Sequence, residues 1–490
     1  MATEAHPGQA GPEPAERVRP GLTLAVICIG YAMVVVDTTI VNVALPAIGR
    51  DLHTGLDALQ WVVDGYVLVL ACLLLSGGTL VDRWGTLRVF RMGVVLFTLA
   101  SALCGVAPDI SVLVGARLLQ GVAAAMLMPA SMALLAQTFP DRARRARAVA
   151  LFTTAAGSPQ AFGPVLGGLL VSTVGWRSIF FINLPIGALT LLLASAGGLP
   201  RNRPDRARAL DLPGQFAVVV TMAAFTAALI QGHAQGWTAP LPLAADLVAV
   251  VGAVLFVLRQ RRAAAPMLPA SLLRAPRLFS HVNTGLLLFA AYYGLVFALS
   301  LYLQQVRHLS ALDTGLQFLP SALPIFLLPV LTGRLTTRWG ARPVVVAGLC
   351  LAAAGALTLL AVGPGTGVLT LSVALALLGC GVGLTVGPQI TLVIGGVPGE
   401  QAGIASGLLN AGRQTGYVLG VAVLGSIANS PIGLGALHTT AVVAAALVLV
   451  ALVTVRPTRS VPPQQDPERN PEEGLDKARP DQPLRIPDTT

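Results

Sequence analysis

The sequence has little charge and few aromatic residues. Asp, Glu, Lys and Arg make up 11% of its 490 residues, and Phe, Trp and Tyr make up 5%. A soluble globular protein carries about 25% charged residues, so this composition does not provide a water-soluble surface. It argues against a soluble enzyme, a nucleic-acid-binding protein and a disordered chain.

Motifs for metal or phosphate binding are also lacking. The five cysteines lie in apolar stretches, the six histidines lie in tails, loops or near span ends, and neither set has the spacing of a metal site. The sequence contains no phosphate-binding loop. We therefore expect no metal, no cofactor and no enzymatic activity.

Long apolar stretches dominate what is present. Hydrophobic residues make up 54% of the chain, and the mean hydropathy is +0.75. Many segments are long enough to cross about 30 Å of hydrocarbon as helices. We predict fourteen spans, at roughly 22–46, 59–81, 89–107, 110–138, 147–173, 179–198, 213–231, 241–258, 282–303, 316–335, 343–362, 367–394, 403–428 and 437–455.

The distribution of arginine predicts the orientation of these spans. Loops on one side hold most of the arginines, for example Arg83 and Arg144, whereas loops on the other side hold only Arg50, Arg177 and Arg307. Basic loops stay in the cytoplasm. We therefore expect a multi-pass protein of the cytoplasmic membrane with both termini in the cytoplasm.

An internal repeat predicts the domain organisation. Residues 78–85 recur in looser form as residues 333–340. Two halves of common plan that face a central cavity are typical of transporters. The predicted parts are an N-terminal tail (1–21), a six-helix bundle (22–198), a linker with two extra helices (199–281), a second six-helix bundle (282–455) and a disordered tail (456–490).

Charged residues inside the spans are candidates for function. An unpaired charge at the depth of Asp37 costs at least about 2.5 kcal/mol, and burial lets such a carboxyl take and release a proton near neutral pH. Asp64 and Arg117 are predicted at similar depth. We expect Arg117 to pair with one aspartate until protonation loosens the pair. The alternatives are a fixed pair that only locks helices, and an interfacial Asp64 beside Trp61 and Tyr66.

Polar stripes predict a substrate cavity. Arg413 lies near mid-depth, and no acidic residue lies deep in the second-half spans. Its partner is water, an amide such as Gln389, a first-half aspartate or a substrate anion, unless it is a packing arginine bonded to carbonyls. The predicted cavity residues are Thr38, Asn42, Gln120, Gln389, Asn410, Arg413, Gln414 and Tyr417, with Asn283, Tyr292 and Tyr293 as weaker candidates.

Several segments resemble the fourteen-spanner drug:proton antiporters of the major facilitator superfamily. They are VVVDTTIVNVALP at 34–46, the loop at 78–85, RLLQG at 117–121 and GPVLGG at 163–168. Thr86 and Leu87 replace the family's usual basic residues, so we expect fewer charge interactions in that loop. Pro159 replaces a usual glycine of the antiporter motif, so the motif supports export less strongly. The conformational residues that the resemblance implies are Gly78, Asp82, Arg83, Gly85, Gly163, Pro164, Gly167 and Gly168.

The resemblance is greatest to methylenomycin-resistance-type actinobacterial exporters. It implies an all-α major facilitator fold, in which two six-helix bundles plus two inserted central helices give fourteen transmembrane helices. It also implies proton-coupled multidrug efflux of small amphipathic compounds and antibiotics by a functional monomer, with lipid, protons and substrate as its partners and no nucleic acid. An uptake carrier or metabolite facilitator on the same fold, and a receptor or scaffold without transport, remain the alternatives.

Overall fold

A computed structural model describes residues 18–196, 198–200, 211–263, 272, 275–363, 365–398, 401–428 and 433–455. The predicted disordered tail and most of the predicted N-terminal tail lie outside these residues. The regular structure that they form is helical. The helices are α1 (Pro20–Asp51), α2 (Leu56–Trp84), α3 (Thr86–Gly105), α4 (Ile110–Thr138), α5 (Arg142–Thr173), α6 (Ser178–Phe181), α7 (Asn183–Ser195), α8 (Leu212–Gln235), α9 (Pro240–Arg262), α10 (Pro276–Leu301), α11 (Ala311–Gln317), α12 (Leu319–Trp339), α13 (Ala341–Thr358), α14 (Val368–Ile394), α15 (Ala402–Ala428) and α16 (Leu434–Thr454).

The helices confirm a polytopic membrane protein. Within the described residues, twelve helical segments are long and apolar enough to cross a membrane. Helices α5 and α15, which correspond to two further predicted spans, have 32 and 27 residues, and at 1.5 Å per residue each reaches about 40 Å or more. They contain arginine and amide side chains that lower their hydropathy, so the count of fourteen spans stays a prediction.

Aspartates begin three of the helices. Asp109 accepts hydrogen bonds from the backbone at the start of α4, and Asp141 does so at the start of α5. Asp211 caps α8 and also pairs with Arg259 of α9, with 3.0 Å between Nε and Oδ1. These caps satisfy N–H groups that a helix leaves without partners. They fix where the spans begin.

Two glycines at matching positions of the internal repeat make similar turns. Gly85 joins α2 to α3 with φ +89°, and Gly340 joins α12 to α13 with φ +84°. Positive φ is strained for residues with a Cβ atom, so glycine is favoured at both turns. The repeated segment is therefore repeated in structure as well as in sequence, although the predicted domain boundaries stay predictions.

The helices pack as two groups that contact each other. The early group includes α1, α2, α4, α5 and α7, and the late group includes α10, α11, α12, α14, α15 and α16. Helix α1 packs on α4, α5 and α7, whereas α10 packs on α15 and α16. The groups meet where α2 contacts α15, α5 contacts α11 and α12, and α1 contacts α10. We call the end of the protein where α1 finishes and α2 starts the Asp51 end, and the opposite end the Arg83 end. The predicted orientation places the Arg83 end in the cytoplasm.

Candidate functional site

Asp37 of α1 and Arg117 of α4 form a buried ion pair. Their side chains are 0% and 1% exposed. The Arg117 Nε also donates to the Val62 carbonyl oxygen at 2.9 Å, and its guanidinium carbon lies 4.3 Å from the centroid of the Tyr66 ring. The structure thus pairs Arg117 with Asp37 rather than with Asp64.

Two amides complete the environment of Asp37. Gln120 Nε2 and Asn183 Nδ2 both donate to Asp37 Oδ1, at 3.2 and 3.0 Å. Gln120 Oε1 accepts from Arg117 Nη1 at 2.9 Å, and Asn183 also donates to Ser101 Oγ at 2.9 Å. A buried charge is tolerated when it is paired and hydrogen-bonded. We call Asp37, Arg117, Gln120, Asn183 and Ser101 the Asp37 network.

The Asp37 network contains one residue that was predicted in the cavity and one residue that was not predicted as part of the site. Gln120, predicted in the cavity, lies inside this network and is fully buried. Asn183, at the start of α7, was not singled out from the sequence. Asn183 is a polar residue inside an apolar span, and this is the same sequence signal that identified Asp37 as a candidate.

Asp64 of α2 is buried in a different way. Its side chain is 0% exposed, and neither carboxyl oxygen has a hydrogen-bond partner among the described residues. Asp64 is therefore a buried carboxyl without a counter-charge in the described structure, and its depth in the membrane stays a prediction.

A small, partly open cleft lies between the early and late helices. Its wall combines aromatic rings with amide and hydroxyl groups, which suits an amphipathic molecule. The lining residues are Thr39, Asn42, Gln160, Pro164, Tyr292, Tyr293, Val296, Phe318, Ser321 and Ala322. They come from α1, α5, α10, α12 and the residue that precedes α12.

Hydrogen bonds cross this cleft. Gln160 Nε2 of α5 donates to Tyr293 Oη at 2.6 Å, and Asn42 Nδ2 of α1 donates to Tyr417 Oη at 3.4 Å. Tyr417 in turn donates to the Thr38 carbonyl oxygen at 3.3 Å. Gln160 was not singled out from the sequence, although it lies three residues before Gly163, the first residue of the Gly-Pro segment. Thr38 and Tyr417 were predicted in the cavity, and the structure places both beside the cleft.

Further hydrogen bonds between early and late helices lie toward the Asp51 end. Ser300 Oγ donates to the Asn42 carbonyl oxygen at 2.8 Å, and Gln304 Nε2 donates to the Val43 carbonyl oxygen at 3.1 Å. Gln60 Nε2 at the start of α2 donates to the Val421 carbonyl oxygen at 3.1 Å. This conformation is closed at the Asp51 end.

The glycines of α5 allow close helix contacts at the same end. A Cβ atom on Gly163 would lie 2.1 Å from Thr39 Oγ1, and Gly167 packs against the same turn of α1. A Cβ atom on Gly168 would lie 2.4 Å from the Ala311 carbonyl oxygen of α11. No real Cβ atom approaches so closely. The Gly-Pro segment therefore brings α5 against both α1 and a late helix.

Of the segment predicted as a loop at 78–85, residues 78–84 belong to α2, and only Gly85 follows that helix. A Cβ atom on Gly78 would meet nothing within 4 Å, whereas Gly85 makes the positive-φ turn described above. Asp82 and Arg83 are half-buried in the last turn of α2. Glycine is therefore favoured at Gly85 by the backbone conformation, whereas close packing does not require it at Gly78, and a functional role of this segment stays a prediction.

Arg413 of α15 is buried beside amides. Its side chain is 4% exposed, and its Nε and Nη2 donate to Gln389 Oε1 at 3.1 and 2.6 Å. Among the alternatives left by the sequence, the structure gives two partners, the amide of Gln389 and the Val386 carbonyl oxygen. Of the other predicted cavity residues on α15, Asn410 is exposed and Gln414 is half-buried.

Comparison with known proteins decides the family. The sequence profile of the Major Facilitator Superfamily matches residues 27–421, and a second match covers 322–486. The chain belongs to this superfamily. The predicted all-α major facilitator fold is thereby confirmed, while the count of fourteen spans stays a prediction. A solved structure of similar fold, a POT family transporter in complex with 5-aminolevulinic acid, has a TM-score of 0.65 at 13% identity, with 88% of this chain and 95% of that chain covered.

Curated relatives within the superfamily are named for drug resistance. The multidrug resistance protein Stp of Mycobacterium tuberculosis is 41% identical over 83% of this chain and 75% of its own length. The methylenomycin A resistance protein of Streptomyces coelicolor is 36% identical over 84% and 86%. The tetracenomycin C resistance and export protein of Streptomyces glaucescens is 33% identical over 88% and 81%. The resemblance to methylenomycin-resistance-type exporters is confirmed.

Proposed function

We propose that this protein exports small amphipathic organic compounds, including antibiotics, in exchange for protons. The observation that carries the proposal is the cleft between early and late helices, whose wall combines Tyr292 and Tyr293 with the amides of Asn42 and Gln160. Such a wall binds apolar surface and a few polar groups of many molecules. The resistance and export names of the superfamily relatives support the direction.

Proton coupling is assigned to the buried carboxyls of Asp37 and Asp64. In this conformation the Asp37 carboxyl pairs with the Arg117 guanidinium, whereas Asp64 has no counter-charge among the described residues. A bare carboxylate in the membrane interior is costly, so we assign Asp64 its proton here. When the cleft changes sides, protonation of Asp37 would release Arg117 and loosen α1 from α4. The two carboxyls then carry protons at different stages of one cycle.

The distribution of arginine supports the orientation in this proposal, and the family resemblance supports its monomeric, cofactor-free and proton-driven character. The arginine-rich Arg83 end faces the cytoplasm, both termini are cytoplasmic, and the protein lies in the cytoplasmic membrane. It works as a monomer without a cofactor, and the proton gradient supplies the energy. Closure of the Asp51 end then corresponds to the state before release of drug to the outside.

Inside-out membrane vesicles test the proposal. Acidifying the vesicle interior should drive accumulation of an amphipathic fluorescent dye by the wild-type protein, and collapsing the gradient should abolish it. Vesicles from a strain without the protein are the control. Accumulation driven by acid outside the vesicles would instead support an uptake carrier. Drug-susceptibility profiles of the two strains would then identify the substrates.

A further inference from the structure

The buried guanidinium of Arg413 has no counter-charge in the described part of the chain. Its Nη2 donates to the Val386 carbonyl oxygen at 2.8 Å and to Gln389 Oε1. Both partners are neutral, and Arg413 forms no ion pair with any described carboxylate. A buried charge that lacks an opposite charge is costly, so an arrangement of this kind favours the arrival of an anion.

Arg413 lies one helical turn from the cleft. It precedes Tyr417 by four residues on α15, which is about 6 Å along the axis. The Tyr417 and Tyr293 ring centroids are 4.0 Å apart, and Tyr293 lines the cleft. On α10, the Phe289 ring centroid is 5.6 Å from that of Tyr293 and 5.5 Å from the guanidinium carbon of Arg413. Aromatic rings therefore lie between the cleft and Arg413, and Arg413 lies on the side of the cleft that is nearer the Arg83 end.

The surroundings of Arg413 hold it in place and leave one nitrogen available. Gln389 Nε2 donates to the His281 carbonyl oxygen at 2.7 Å, which fixes Gln389 Oε1 toward the guanidinium. Gly285 packs against both, since its Cβ would lie 3.1 Å from Gln389 Nε2 and 3.2 Å from Arg413 Cγ. Within the described structure Arg413 Nη1 has no hydrogen-bond partner, and it is not among the fully buried polar atoms.

We propose that Arg413 binds an anionic group of the exported compound, such as a carboxylate or sulfonate, while the apolar part of that compound lies in the cleft against Tyr293. Charged hydrogen bonds to a guanidinium are stronger than neutral ones. The site therefore prefers organic acids to their neutral amides. This inference rests on the proposed export function and names a substrate class for the same cleft.

Binding of two matched probes tests the inference. Purified full-length protein in detergent is titrated with radiolabelled 2-naphthoate, which is anionic at neutral pH, and with its neutral amide, 2-naphthamide. The wild-type protein should bind the acid about tenfold more tightly or better, as expected for a hydrogen bond between charged groups. Arg413→Gln should remove this preference and leave 2-naphthamide binding unchanged, and Arg413→Lys should retain part of it.

Controls separate this result from loss of folding and from general anion binding. Arg307→Gln removes a different arginine, whose Nη2 donates to the Thr366 carbonyl oxygen at 3.0 Å. This variant should keep the preference for 2-naphthoate over 2-naphthamide. Unchanged 2-naphthamide binding shows that Arg413→Gln is folded. If that variant does not fold, Arg413→Lys decides, and loss of the preference in a folded Lys variant overturns the inference.

Three further results would overturn it. They are equal or absent binding of the two probes by the wild-type protein, persistence of the preference in Arg413→Gln, and displacement of 2-naphthoate by acetate at equal concentration, which would indicate a site for small anions only. The proposed function fails separately, if inside-out vesicles show no proton-driven accumulation of dye. That assay does not depend on the charge preference.

Discussion

Asp37 and Thr39 lie on opposite sides of helix α1, because two residues correspond to about 200° of rotation around a helix. Asp37 faces α4 and α7, where it pairs with Arg117 and accepts from Asn183. Thr39 lines the cleft. In the proposed cycle, protonation of Asp37 would therefore act on a substrate through the packing of α1 rather than by direct contact.

The Asp37–Arg117 pair should be strongly coupled in stability. Arg117→Gln leaves Asp37 buried without its cation and should lower the free energy of unfolding by about 3–5 kcal/mol. The double variant Asp37→Asn/Arg117→Gln removes both charges and should recover at least half of that loss. A double-mutant cycle in mixed-micelle unfolding measures the coupling. Additive effects of the two substitutions would show that the pair does not stabilise the fold.

Asp64→Asn should behave differently, because the carboxyl has no hydrogen bond to lose within the described structure. We expect its free energy of unfolding to change by less than about 1 kcal/mol, since one buried neutral group replaces another. Proton-driven dye accumulation should nevertheless fall. Full retention of transport in a correctly folded Asp64→Asn protein would remove this residue from the coupling.

Two glycines provide a matched test of close packing. Gly163→Ala places a Cβ atom against Thr39 and should destabilise the protein by about 1–3 kcal/mol through overpacking. Gly78→Ala has open space around it and should be neutral or stabilising by up to about 1 kcal/mol, because alanine favours helix. Thermal aggregation of the solubilised proteins compares them. Equal melting temperatures for the two variants would contradict the α5–α1 contact.

The Tyr417 hydroxyl should contribute to closure of the cleft. Tyr417→Phe removes its donation to the Thr38 carbonyl oxygen and its acceptance from Asn42. We expect a severalfold change in the rate of dye efflux, since each lost hydrogen bond is worth about 1 kcal/mol. Tyr302→Phe is the control, because no hydrogen bond of its hydroxyl occurs among the described contacts. A wild-type rate for Tyr417→Phe would exclude this role.

The sequence predicted how deep a residue lies along its span better than which side of the helix its side chain faces. Hydropathy and arginine counts located the spans and placed Asp37, Asp64 and Arg117 at similar depth, and two of these residues do meet. Which side of a helix faces a partner depends on how helices pack, and a single sequence does not contain that. Gln120 was therefore expected in the cavity, although it bonds Asp37 instead.

The cleft itself was the part that sequence reasoning identified least completely. Tyr292 and Tyr293 are ordinary span residues by sequence, because tyrosines there more often pack or face lipid. Gln160 lies in α5, where the prolines and glycines predicted a special backbone conformation rather than a cavity residue. Only the approach of α5 to α10 brings Gln160 and Tyr293 together across the cleft.

Proton-driven export by the Asp37→Asn protein is the most direct test of the central claim. Inside-out vesicles with an acidic interior report coupled accumulation of dye, and exchange of dye without a gradient reports a working cleft. Asp51→Asn is the control, since Asp51 forms an exposed ion pair with Arg177. We predict that Asp37→Asn keeps exchange and loses coupled accumulation, whereas Asp51→Asn keeps both. Wild-type accumulation by a folded Asp37→Asn protein would contradict the claim that this carboxyl couples protons to export.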